Sequence, residues 1–159
     1  MMWIDNTYRV VLFGHRNFNQ HRKLYERLYP LLKDLIRTKS FVEIYIGRNG
    51  EFDICASTVV KNVQNEMGKD NNEFICVLPY PQNDMEYYEE YYDNVIIPEC
   101  IEKMHPKGAI TKRNKWMVEQ ADLFICYVER MEGGAYNSLK YAKKLGKEII
   151  NLAEKESNE

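Results

Sequence analysis

Residues 123–152 read LFICYVERMEGGAYNSLKYAKKLGKEIINL, and the order of their patterns decides the fold. LFICYV (123–128) is a continuous apolar run of strand length, which predicts a strand buried on both faces. Gly133 and Gly134, the only adjacent glycines in the chain, then open a helix over 135–145 that stops at Gly146. IINL (149–152) closes the unit with a second short apolar run. Strand, glycine turn, helix, strand is the repeating unit of a parallel sheet.

The same alternation runs through the rest of the chain. RVVLF (9–13) is a β-branched-rich strand ending at Gly14, followed by a helix over 20–39. Its apolar stripe is Leu24, Leu28, Leu31, Leu32, Leu35 and Ile36, and Pro30 is expected to bend or split it. FVEIYI (41–46) is a second strand, ended by Gly47 and Gly50, with a helix over 53–67 carrying Ile54, Val59, Val60 and Val63. FICVL (74–78) is a third, stopped by Pro79 and Pro81. In the less regular stretch 83–108, VIIP (95–98) is the best fourth strand, and a helix over 111–120 leads into LFICYV. The expected fold class is α/β: a Rossmann-like, doubly wound, mainly parallel sheet flanked by helices, with right-handed crossovers.

With 159 residues, 45% of them hydrophobic, the chain suits one core and is too short for two, so a single domain over 1–159 is expected, its charged tail (about 154–159) fraying. Neither a repeat nor a linker is visible. A net charge of −2 gives no global attraction to nucleic acid or anionic membrane, so any polyanion site must be local and the expected partner is a small molecule. Cys55, Cys76, Cys100 and Cys126 lie far apart without metal-ligand spacing, which suits small buried hydrophobes in a reducing compartment. The sequence carries no metal-ligand cluster and implies no cofactor. MMWIDNTYRVVLF has no basic segment followed by a long apolar one, and no run reaches membrane-spanning length, so a cytoplasmic protein is expected.

In open α/β sheets ligands sit beyond the carboxyl ends of the strands. The turns at those ends are GHRNF (14–18), GRNGEFD (47–53), PYPQND (79–84) and EGGAYNS (132–138). Gly14, Gly47, Gly50, Gly133 and Gly134 either form tight turns or let backbone N–H groups approach a phosphate, with Ala135 and Asn137 in the same helix start. Arg16 and Arg48 are surface residues or guanidinium groups for that phosphate. His15 reads as a packing group or a ligand contact, since no nucleophile is paired with it. Asp53 either favours a helix N-terminus or holds a ribose hydroxyl, and Asp122 fixes a strand start or caps the preceding helix.

RNKWMVEQADLFICYVERMEGGAYNSLK (113–140) resembles the signature of the SLOG superfamily, named for Smf/DprA and the Lonely Guy enzymes. Arg113, Met117, Asp122, Gly133 and Gly134 match the Lonely Guy phosphoribohydrolase pattern in order and spacing. FGHRNF, GRNGEFD and CVLPYP resemble more closely its YpsA-like group. The resemblance implies a nucleotide site in which Arg113 approaches sugar or phosphate. It also departs from the pattern: Tyr136 and Asn137 replace a glycine-threonine step, and Lys140 stands where the hydrolases carry a catalytic glutamate. A lysine has no acceptor at neutral pH and cannot act as that carboxylate.

The expected function is therefore binding of a nucleotide or nucleotide-derived small molecule, as a sensor or sequestering protein without efficient hydrolysis; the resemblance adds phage-defence signalling as a context. One alternative is an enzyme acting on an N-glycosidic bond, a phosphoribohydrolase or deoxyribosyltransferase-like protein, with Glu51, Asp53 or Glu132 supplying the carboxylate. Another is a protein-interaction scaffold. Tyr87, Tyr88, Tyr91 and Tyr92 would align Tyr88 with Tyr91 and Tyr92 on a helix, a patch for packing or a homodimer interface.

Overall fold

A computed structural model describes residues 6–48, 50–101 and 105–154. Six strands form one sheet: β1 (Thr7–Gly14), β2 (Phe41–Ile46), β3 (Asn72–Val77), β4 (Asn94–Ile96), β5 (Leu123–Tyr127) and β6 (Glu148–Asn151). Five helices connect them: α1 (His21–Thr38), α2 (Glu51–Met67), α3 (Met85–Tyr91), α4 (Pro106–Gln120) and α5 (Gly134–Lys144), with a 3-10 turn at Glu99–Ile101. The order is β4-β3-β2-β1-β5-β6 and every pairing is parallel. The chain thus builds outward from β1 to β4, then crosses back through α4 to lay β5 on the other side of β1. That reversal is a topological switch point, and it opens a crevice between the carboxyl ends of β1 and β5.

Side chains alternate between two apolar layers. Val10, Leu12, Ile44, Phe74 and Ile125 face α1 and α2, while Val11, Phe13, Ile75, Phe124 and Cys126 face α4 and α5. Both faces of the sheet are covered, which is why its inner strands read as unbroken apolar runs. Cys76 and Cys126 are buried within these layers, and burial pushes both thiols up to about 12. Cys55 is half-buried and Cys100 exposed. At the start of β5, the Arg9 N–H donates to Asp122 Oδ2 and the Asp122 N–H to the Arg9 carbonyl, both at 2.8 Å, so Asp122 fixes the strand start.

Three elements differ from expectation. Pro30 does not split α1: the helix runs through it, burying Leu24, Leu28, Leu32, Leu35 and Ile36. Pro30 lies on the exposed side, so the bond it removes leaves the buried leucine stripe in place. α4 begins at Pro106 rather than 111, because proline suits the first helical position and His105 caps it, Nδ1 accepting from the Lys107 N–H at 3.4 Å. The tyrosines form the expected aromatic patch, but Tyr88 stacks over Tyr92 and not Tyr91, which pairs with Tyr87, and the two rows touch at Tyr87–Tyr88 and Tyr91–Tyr92, 5.8 and 4.8 Å between ring centres. Tyr88 and Tyr92 are core, with Tyr92 against Phe74, and Tyr87 is exposed. Most of the fraying tail, 155–159, lies outside the described residues. No described helix is long and apolar enough to cross a membrane.

Candidate functional site

A cleft of about 370 Å³ occupies the crevice at the switch point, within the range of small-ligand sites. Leu12, Phe13 and Gly14 form its floor at the end of β1, Gly47, Gly50 and Asp53 one wall, and Ile110, Arg113, Asn114 and Met117 of α4 the other. Gly134 and Ala135 bring the start of α5 to its rim, with Arg16 and Tyr80 at the mouth.

The glycines divide into two kinds. A Cβ on Gly14 would lie 2.0 Å from Phe52 Cγ, one on Gly50 2.5 Å from the Arg16 Cα, and one on Gly47 2.8 Å from Arg113 Nη1. These three make room for the protein's own atoms. At the other end, Gly133 takes φ +92° with nothing within 4 Å of its Cβ position. It is the N-cap of α5 and supplies no side-chain cap. The Gly134, Ala135 and Tyr136 N–H groups precede the first intrahelical bond, Asn137 N–H to Gly133 carbonyl at 3.0 Å. They face an open rim with the positive end of the helix dipole behind them, which is the local arrangement that binds anions.

Arg113 is 3% exposed in the wall of the cleft. Its Nη1 donates to the Val77 carbonyl and its Nε to Asn114 Oδ1, each at 2.8 Å. Burial pushes its pKa below the ordinary value, and the Asp53 carboxylate leads the charges that hold it up. The cleft therefore carries a fixed cation, a carboxylate coupled to it, and a helix start suited to an anion.

The two loops that frame the mouth are laced together. The Glu51 N–H donates to the Arg16 carbonyl at 2.8 Å, and Glu51 Oε2 accepts from the Phe18 N–H at 3.1 Å. His15 Nε2 accepts from the Glu129 and Arg130 N–H groups at 3.1 and 3.2 Å. Burial, then Arg130, lower its pKa, against Glu129 and Glu132.

Of the residues singled out in the sequence, Gly14, Arg16, Gly47, Gly50, Asp53, Arg113, Gly134 and Ala135 line the cleft. His15 lies in the loop interface behind it. Arg48 borders a shallow groove outside the mouth, its guanidinium over Tyr87 and Tyr88 at 4.7 and 5.1 Å. Gly133 caps α5 just outside the lining, and Asn137 opens on a smaller groove between α4 and α5. Lys140 is exposed, its ammonium 5.2 Å from the Tyr136 ring. Asn114, Tyr80 and Ile110 are cleft residues that the sequence did not single out. Asn114 had a signal as the chain neighbour of Arg113, and Tyr80 had one in its place in the PYPQND turn; Ile110 had none, because only the crossing of separate connections brings it to the cleft.

No protein-family model matches the chain, and no curated protein matches it. In fold it is similar to DNA processing protein A from Helicobacter pylori, with a TM-score of 0.62 and 22% identity over 91% of this chain and 65% of that one. It is likewise similar to DprA from Streptococcus pneumoniae, at 0.66 and 16% over 89% and 49%. The chain thus spans 65% and 49% of those two proteins' lengths. The H. pylori protein binds single-stranded DNA. This corrects the expectation, drawn from a net charge of −2, of a small-molecule partner and no global nucleic-acid affinity: the fold serves a single-strand binder, and whole-chain charge does not decide what a cleft lined locally by Arg16 and Arg113 will hold. The chain thus carries a Rossmann-like fold similar to that of DNA processing protein A.

Proposed function

We propose that the cleft binds the phosphate and sugar of a nucleotide, either free or as one unit of a longer nucleic-acid strand, without efficient hydrolysis. The observation that carries this reading is the uncapped start of α5 at the rim of a cleft that also holds Arg113 and Asp53. The α5 amides would take a phosphate, Arg16 would close on it from the mouth, and Asp53 would accept from a ribose hydroxyl. Ile110, Met117 and Tyr80 offer apolar surface for the base. A lysine at position 140, where the resembling hydrolases carry their catalytic glutamate, supports a binding protein over a hydrolase. The finer placement in the YpsA-like group belongs to the same reading and rests on FGHRNF, GRNGEFD and CVLPYP.

The test is calorimetric titration with the four ribonucleoside monophosphates and a thymidine oligonucleotide. Gly134→Asp is the informative variant: a Cβ there meets only Asn114 Nδ2 at 3.6 Å, and a carboxylate at a helix start is stabilising. Binding is expected to fall by at least about tenfold while the melting temperature holds or rises. Wild-type-like affinity in Gly134→Asp, or no binding by any member of the panel, overturns the reading.

A second reading is favoured by Asp53, the one acidic residue among the described residues that line the cleft. Glu51 is committed to the Phe18 N–H, and Glu132 is exposed outside the lining. An N-glycosidic-bond enzyme would then depend on Asp53. Steady release of free base from a nucleoside monophosphate, abolished in Asp53→Asn, would establish it in place of the binder.

A further inference from the structure

We propose that the small groove between α4 and α5 is a second anion subsite continuous with the cleft, and that the ligand is a nucleotide bearing a second phosphate: a nucleoside diphosphate or a diphosphate-linked derivative. The proposal rests on the cleft reading above and names its ligand class. The groove is lined by Thr111, Lys115, Asn137 and Ser138, and it shares Asn114 and Gly134 with the cleft. The two spaces therefore meet over one saddle, at the helix start assigned to the first phosphate.

Three features point to a ligand in the groove. Ser138 is 5% exposed, and among the described residues its hydroxyl has no hydrogen-bond partner. The hydroxyl opens on the groove rather than being sealed in the core, so it is available to donate to an occupant there. Ser138 lies one turn beyond Gly134, and side chains on a helix lean back toward its N-terminus, so the hydroxyl is directed to the saddle. The Asn114 amide is oriented by Arg113: Oδ1 accepts from Nε at 2.8 Å, which leaves Nδ2 as a donor beside Gly134. Lys115 adds charge, its ammonium 5.7 Å from the Tyr141 ring and without an ion pair among the described residues. The carboxylate one turn along, Glu119, is held by the Tyr141 hydroxyl at 2.6 Å.

Size selects the occupant. The groove, at about 80 Å³, is much smaller than the 370 Å³ cleft it adjoins, which suits a single phosphate group rather than a whole nucleotide. Donors of two kinds, a hydroxyl and an amide, backed by a mobile cation, suit the non-bridging oxygens of a phosphate next to the one at the α5 amides.

The experiment titrates the full chain with each ribonucleoside as its mono- and diphosphate, and with inorganic pyrophosphate. The diphosphate is expected to bind at least about tenfold more tightly than the monophosphate of the same base. Ser138→Ala and the exposed Lys115→Gln should each remove most of that advantage and leave monophosphate affinity unchanged. Equal affinity for mono- and diphosphate, or a preference that survives both substitutions, overturns the subsite. Tight binding of pyrophosphate with no gain from the nucleoside supports the subsite and overturns the nucleotide reading of the cleft. If nothing in the panel binds, both fall.

Discussion

Glycine positions that look alike in the sequence do different work. Gly14 faces the buried Phe52 ring, which packs edge-on against Phe18 at 5.5 Å, so Gly14→Ala forces the ring to move. It should destabilise by about 1–3 kcal/mol in denaturant unfolding, the usual range for overpacking. Gly134→Ala, with its Cβ in ordinary contact, should stay within about 0.5 kcal/mol of the parent. A reversal of that order would refute the packing account of Gly14. His15 makes a prediction about pH. Its folded-state pKa is lowered, first by burial, so the neutral ring that accepts two backbone N–H groups contributes fully above the unfolded value near 6.5. That contribution is lost as pH falls below about 6.5 toward the folded value. His15→Phe leaves the two N–H groups unpaired and should cost about 1–3 kcal/mol at pH 7.5. It should also flatten the fall in melting temperature between pH 7.5 and 5; an unchanged slope would refute the role given to His15.

Elements were readable from the sequence where one face had to be buried. Leu24, Leu28, Leu32 and Leu35 mark α1 so strongly that the helix runs through Pro30, whose ring sits on the water side. The proline still removes one intrahelical bond, so Pro30→Ala should stabilise the chain by roughly 1–3 kcal/mol, seen as a higher unfolding midpoint; a lower midpoint would mean that the ring packs on a neighbour. α3 was harder to place. Adjacent tyrosines in MEYYEEY carry no single period, and their two rows are separated only by Phe74, which takes Tyr92 into the core and leaves Tyr87 outside beneath Arg48. The start of α4 was obscured by Pro106 and Gly108, which break a helix in its middle but are compatible with its first turn.

At the scale of the whole molecule, charge behaves locally. Arg16, Arg48 and Arg113 are the arginines of the cleft and its outer groove, in a chain of net charge −2. Binding of a single-stranded oligonucleotide should therefore weaken with salt at a logarithmic slope no steeper than about −2, at about −0.7 per neutralised phosphate. A steeper slope would place a polyanion on a surface other than this one.

By itself the sequence determined the α/β class, the parallel sheet and the glycine turns at its carboxyl edge, because two-faced burial and backbone breaks are written locally in residue type and spacing. Its resemblance to the SLOG signature also marked Arg113 and the Gly133–Gly134 turn. Only the tertiary structure decided which glycines serve packing and which leave an open rim, that His15 ties two loops while Arg48 stacks on tyrosines outside the cleft, and that Asn114 and Ser138 look onto the same saddle. Those distinctions depend on contacts between residues far apart in the chain, across the reversal of strand order between β4 and β5. Local patterning specifies each element, but the crevice exists only where elements of opposite winding meet.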